Sequence, residues 1–148
     1  MADVQAFLAP LGIQVVELPA DASTAASAAR ALNTPVASIA KSLLFQADDH
    51  TVLVIAGGDR QVDIGRLSSY LGAASVRLAR PAQVLEITGY AVGGVPPIAH
   101  AVTLRTVMDS RLLAHETVYA AAGAARAIFP IGPQLLSDLA GAELAEVT

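Results

Sequence analysis

The chain has 148 residues, of which 54% are apolar but only 4% aromatic, and it carries a net charge of −4. That length fits one compact domain whose core is built from Val, Ile, Leu and Ala with few large rings. Lack of cysteine excludes disulfides and thiolate metal sites, the acidic balance argues against a broad DNA-reading surface, and no apolar run reaches the length of a membrane span.

The opening segment holds Asp3 and no basic residue, so no secretory signal is expected and a cytoplasmic location is the default. Residues 4–12, VQAFLAPLG, predict a short helix stopped by Pro10 and Gly12. IQVVEL (13–18) predicts a strand ended by Pro19, and residues 21–33 predict a helix with Asp21, Ser23 or Thr24 as N-cap. SLLFQA and TVLVIA flank the polar turn DDH, which predicts an antiparallel hairpin. Both runs are apolar nearly throughout, so the pair is expected mid-sheet, covered on both faces.

Ile64, Leu67 and Leu71 share one face of a helix closed by Gly72, with Asp63 favoured as its N-cap. SVRLA reads as a strand, PAQVLEITG as a helix with Pro81 in its first turn, and YAVGGVPPIAH as a loop. Residues 101–109 resume as strand, SRLLAHE is a short helix with Asp109 as its expected N-cap, and TVYAAAG and RAIFPI are two more strands. A last helix, GPQLLSDLAG, leads into AELAEV. The mixture predicts an α/β (α+β) fold: one domain over 1–148, with a mixed, mostly antiparallel sheet flanked by helices, because hairpin-like connections outnumber βαβ units.

Lys41 is the only lysine beside eight arginines. One reading is a stem lying along the sheet with its ammonium in solvent. The other is a compact cation kept inside a cleft at a strand end, where a guanidinium would need more room. In GGVPP, Gly93 and Gly94 let backbone N–H groups approach a ligand, while Pro96 and Pro97 fix the far side. Such a loop is either an ordinary turn or a set of preorganised donors for an oxyanion. His100 closes the loop, as a base or as a half-buried ring held by a backbone carbonyl. Asp59, Arg60 and Asp63 form a polar rim or a helix cap. His50, His100 and His115 show no ligand spacing, no GxSxG elbow surrounds Ser42, Ser68 or Ser69, and the GGD after VIA lacks a nucleotide-binding spacing. No metal or cofactor is expected.

Taken together, IAKSLLF, VLVIAGGDRQVD, ITGYAVGGVPPIAH and MDSRLL with HETVYAAAG and FPIGPQLLSDLAGAELAEV resemble the YbaK/EbsC family. That family is related to the editing insertion domain of bacterial prolyl-tRNA synthetases. The likeness runs from about Gln14 to Val147, and its most specific parts are the lysine before the apolar strand and Gly89 to Pro97.

The resemblance implies a free-standing deacylase that hydrolyses the ester between a wrong amino acid and tRNA, typically tRNA for proline. It maps the family's lysine onto Lys41, which would hold the terminal nucleotide, and the family's GxxxP loop onto Gly93 through Pro97, whose backbone would hold the aminoacyl part. Catalytic roles then fall to Lys41, Gly93 and Gly94. Substrate contacts fall to Ser42, Asp59, Tyr90, Val95, Pro97, His100 and Asp109, and the acceptor end would meet Arg66, Arg77, Arg80 and Arg105. The implied partners are aminoacyl-tRNA and prolyl-tRNA synthetase, with no DNA or membrane, and the chain is expected as a monomer or weak homodimer.

Two departures leave the amino acid open among Ala, Cys, Ser and similar small ones. Ala121, Ala122 and Gly123 stand where the cysteine-specific branch tends to Ser-Gly-Gly, and Ser42 stands where the alanine-specific branch tends to asparagine. A non-catalytic module that binds tRNA or a synthetase is the alternative, and hydrolysis of another small ester is a third.

Overall fold

The computed structural model describes residues 2–148. Helix α1 (Ala2–Leu8) passes into a 3₁₀ turn, Ala9–Leu11, that accommodates Pro10, and Gly12 at φ 74° ends it. Strand β1 is only Val16–Glu17, shorter than expected because its ladder with β7 spans just Val16–Ile128 and Glu17–Ala127, while Ile13 and Val15 pack on the core. Helix α2 (Ala25–Leu32) takes Thr24, the last of the three expected candidates, as its N-cap. The start is fixed by a capping box: Thr24 Oγ1 accepts from Ser27 N at 3.1 Å, and Thr24 N donates to Ser27 Oγ at 2.9 Å.

Strands β2 (Ile39–Ala47) and β3 (His50–Gly57) form the expected hairpin around Asp48 and Asp49. β2 begins three residues before the apolar run, so Lys41 lies within the strand, paired with Ala56. Helix α3 (Ile64–Leu71) is capped by Asp63, whose carboxylate accepts from Arg66 N at 3.0 Å, as its sequence predicts. β4 (Val76–Leu78) and α4 (Pro81–Thr88) follow. After the loop comes β5 (Arg105–Asp109), shorter than expected because its ladder with β3 starts only where Arg105 meets Val52. A 3₁₀ turn (Ser110–Ala114), β6 (Val118–Ala124), β7 (Ala127–Ile131), α5 (Pro133–Ala140) and β8 (Glu143–Ala145) complete the chain.

All eight strands join one sheet in the order β1-β7-β6-β2-β3-β5-β8, with β4 pairing β2 off that path. Four pairings are antiparallel and three parallel, the mixed α+β arrangement expected from the sequence. β2 and β3 lie centrally and are covered on both faces. Side chains alternate along a strand, and the core clusters follow that alternation. Ala40, Leu44, Leu53 and Ile55 meet Val4 and Leu8 of α1, Val84 of α4 and Leu136 of α5 on one face. Phe45, Val52 and Val54 meet Leu67 of α3 on the other, where Ile39 and Ile128 also pack with Ala28 of α2.

A gap in one edge of β2 places the site. On that edge β6 pairs in parallel for only two positions, Ile39–Tyr119 and Ala40–Ala120. β4 takes up the same edge from Phe45 onward, and Ala79 N donates to the carbonyl of Leu44. Residues 41–43 lie between them. β6 leaves because its ladder with β7 is irregular between Ala121 and Ala124, where Gly123 takes φ 106°.

Candidate functional site: a cleft where the sheet opens

A cleft of about 250 Å³ occupies the gap. Its floor is Ile39 to Leu43 of β2, one wall is Ser23 to Ala28 at the start of α2, and the other is Val92, Gly93 and Val95 of the loop. Tyr119, Ala121, Ala125 and Ile128 close it from the β6–β7 side. Small side chains line the position where β6 turns away, so the space left by the missing pairing stays open.

Lys41 and Ser42 present to this cleft from opposite faces of β2. Lys41 Nζ donates to the carbonyl of Arg60, beyond the end of β3. Burial lowers the Lys41 pKa from its usual 10.5, and the Asp59 carboxylate partly counters that shift. This side chain therefore carries a partly desolvated ammonium with one protein carbonyl on it, and two of its three donor positions remain for a ligand.

Ser42 is unusual in a different way. Its Oγ is buried without a hydrogen-bond partner. Leu44 directs its carbonyl to the β4 side, and a strand repeats its orientation every second residue, so Ser42 directs its N–H and C=O to the same side. That side is the gap, where no ladder position pairs Ser42 with β4 or β6. Buried polar groups are nearly always satisfied, so the orphaned Oγ, beside a backbone that faces the open gap, singles out Ser42 as a candidate ligand contact.

The loop presents its two glycines differently. Gly93, at φ 90°, is exposed and lines the cleft, and its N–H has no partner among the described residues. Gly94 is buried, its N–H donates to Ala91 O at 3.0 Å, and a Cβ there would stand 2.9 Å from Ala124 Cα. It permits close approach of the loop to the irregular part of β6. Val95 packs with Leu44 and Val84. His100 Nε2 lies 2.7 Å from Pro96 O, its ring meets Tyr90 edge-on with centroids 6.1 Å apart, and its Nδ1 is buried without a partner. Tyr90, Pro97 and His100 thus brace the loop from behind and do not line the cleft.

Asp59 and Asp109 line a separate, small polar pocket of about 60 Å³ with Arg60, Arg111 and His115. Asp109 is fully buried. The expected capping by Asp109 does not occur: its carboxylate accepts no bond from the backbone of the 3₁₀ turn that follows, though Arg111 Nε of that turn stands 4.0 Å from it. Instead it accepts from Val147 N at 3.2 Å and Thr148 Oγ1 at 2.8 Å, fastening the C-terminal segment. Among the arginines expected near an acceptor end, Arg105 is held bidentately by Glu143, at 2.8 and 3.0 Å, and Arg66 stands near Asp63 and Glu146. Arg77 and Arg80 are exposed on β4 and before α4. Among the described residues no cluster of His and carboxylates could hold a metal ion, and no helix is long and apolar enough to cross a membrane.

Sequence reasoning missed the α2 wall and the Tyr119, Ala121, Ala125, Ile128 side. The signal lay in the alanine-glycine run of β6, which reads as an ordinary strand until the irregularity is seen.

The sequence model of the aminoacyl-tRNA editing domain matches residues 19–139. This chain belongs to the aminoacyl-tRNA editing domain family. Its sequence is 31% identical over 125 residues to the uncharacterized protein YwhH of Bacillus subtilis, covering 84% of this chain and 79% of that one. It is 44% identical over 70 residues to the proline–tRNA ligase of Lactobacillus helveticus, covering 47% of this chain but 12% of that enzyme. In three dimensions it is similar to a crystal structure of a proposed trans-editing enzyme for prolyl-tRNA synthetase, with a TM-score of 0.93, 38% identity, and coverage of 99% of this chain and 95% of the other. The fold expected from the motif blocks is thus that of a family linked to prolyl-tRNA synthetase.

Proposed function

We propose that this protein is a deacylase acting in trans on tRNA, above all tRNA for proline, that carries a small wrong amino acid. The observation that carries the reading is the cleft itself, with the Lys41 ammonium on one side and the free Gly93 N–H on the other, in a chain of the editing family. Lys41 holds a phosphate or ribose oxygen of the terminal nucleotide. Gly93 donates to the oxygen on which charge develops as water adds to the ester carbonyl, a preorganised contact that needs no rearrangement during reaction.

The tetrahedral intermediate then expels the ribose oxygen, which leaves with a proton, giving free amino acid and uncharged tRNA. An aminoacyl ester is already activated, so positioning of water supplies much of the acceleration without a protein nucleophile. The ribose hydroxyl next to the ester can relay the proton. The net charge of −4 agrees with a grip confined to the acceptor end, where Arg77 and Arg80 are free to meet phosphates.

The test is a panel of tRNA(Pro) charged with Ala, Cys, Ser, Thr or 2-aminobutyrate, with Pro-tRNA(Pro) as control and Lys41→Ala beside the wild type. Turnover of one small amino acid that is lost in the variant is the expected result. Bound tRNA with no turnover across the panel would make the chain a binding module instead.

A further inference from the structure

We propose that the aminoacyl group binds as a one-residue β-strand that fills the gap beside Ser42. The inference rests on the editing reading above and adds how the amino acid itself is recognised. An α-aminoacyl ester carries an ammonium and a carbonyl spaced as the N–H and C=O of a strand residue. In a hydrogen-bonded antiparallel pair, two opposed residues exchange both bonds. The substrate ammonium donates to Ser42 C=O, and the ester carbonyl accepts from Ser42 N–H, the two backbone groups that no strand uses.

The orientation follows. Antiparallel to β2, the ammonium lies toward Leu44 and β4, and the ester oxygen leads toward Ala40, Lys41 and the α2 wall, where the nucleotide is held. Directly opposed residues put their side chains on the same face of a sheet. The side chain of an L-amino acid therefore enters on the Ser42 face. A nearly all-apolar recess of about 110 Å³ lies there, bounded by Ser42, Leu44, Val84, Val92 and Val95. The unpartnered Ser42 Oγ borders it and offers one polar contact. A D-amino acid would have to direct its side chain to the opposite face, against Lys41.

Alanyl-tRNA(Pro) and L-lactyl-tRNA(Pro) test this with the wild-type protein alone, because lactate replaces only the ammonium by a hydroxyl. Each enzymatic kcat/KM is divided by the uncatalysed rate of the same ester, which removes the intrinsic difference in reactivity. Loss of a charge-assisted hydrogen bond predicts a ratio about 10- to 100-fold lower for the lactyl ester. A second arm compares Ser42→Pro, which removes the N–H on an edge where proline breaks no ladder bond, with Ser42→Ala, which keeps it. About 100-fold loss for the proline variant, with alanine within about tenfold of wild type, is expected. Equal normalised rates for the two esters would overturn the strand pairing and leave editing intact. Failure to hydrolyse any ester of the mischarged panel would overturn the editing reading and this inference with it.

Discussion

Gly94 and Ala124 are in backbone contact: a Cβ at Gly94 would stand 2.9 Å from the Cα of Ala124 and 3.1 Å from its nitrogen. The loop that walls the cleft is therefore seated on the irregular end of β6, the segment whose departure opens the cleft. One contact fixes both boundaries, and the neighbour is main chain with little freedom to move.

Replacing Gly94 with alanine should push the loop off β6. The expected cost is about 1–3 kcal/mol of stability, as for overpacking elsewhere, with deacylation falling more than stability does. Thermal melts beside kcat/KM on mischarged tRNA measure both. A fully active, fully stable Gly94→Ala would show that the seat is not needed.

Lys41 titrates below its usual 10.5 because burial disfavours its charged form. In the interval between the folded value and 10.5 the unfolded chain binds more protons than the folded one, so stability rises with pH there. Lys41→Met removes that rise. Its unfolding curve across the alkaline range should run flatter than the wild type's, while deacylation is lost at every pH. Asp59→Asn, which removes the opposing charge, should widen the interval.

His100 acts on the loop through Pro96 O. His100→Phe keeps the edge contact with Tyr90 and removes the ring donor, so stability should drop by about 1 kcal/mol. Activity should fall about tenfold as the Gly93 N–H loses its fixed position. Hydrogen exchange at residues 91–95, together with kcat/KM, reads the loosening directly.

Asp109 fastens Val147 and Thr148 and does not line the cleft. Asp109→Asn should destabilise the chain by about 1–3 kcal/mol, since a buried acceptor pair is disturbed. Its deacylation rate below the melting transition should stay within about twofold of wild type. A large loss of activity without loss of stability would instead put Asp109 in contact with substrate.

Much of the fold is legible in the residues themselves. The hairpin around Asp48 and Asp49, the Asp63 and Gly72 caps of α3, and Pro81 at the start of α4 are local features with local causes, and the chain follows them. Lys41 and Gly93 stand out in the sequence because one is a singular cation and the other a conformational exception, and both line the cleft. The cleft between them depends on contacts that no short stretch encodes. Whether β6 pairs with β2 for two residues or six is settled by the ladder with β7 and the contact at Gly94. Asp109 misleads for the same reason: its position before a turn reads as a cap, while its partners lie 38 and 39 residues away.

The short register between β6 and β2 makes the candidate site an omission from the sheet. An evolutionary path that regularised β6, through loss of Gly123 or a β-branched residue at Ala121, would lengthen the ladder and satisfy the idle backbone of Ser42 from within. Such a protein would gain hydrogen bonds and lose its vacancy. If the proposed deacylation is this protein's activity, selection for thermal robustness and selection for proofreading pull this one strand in opposite directions, and hyperstable relatives with a silent cleft should carry their changes there.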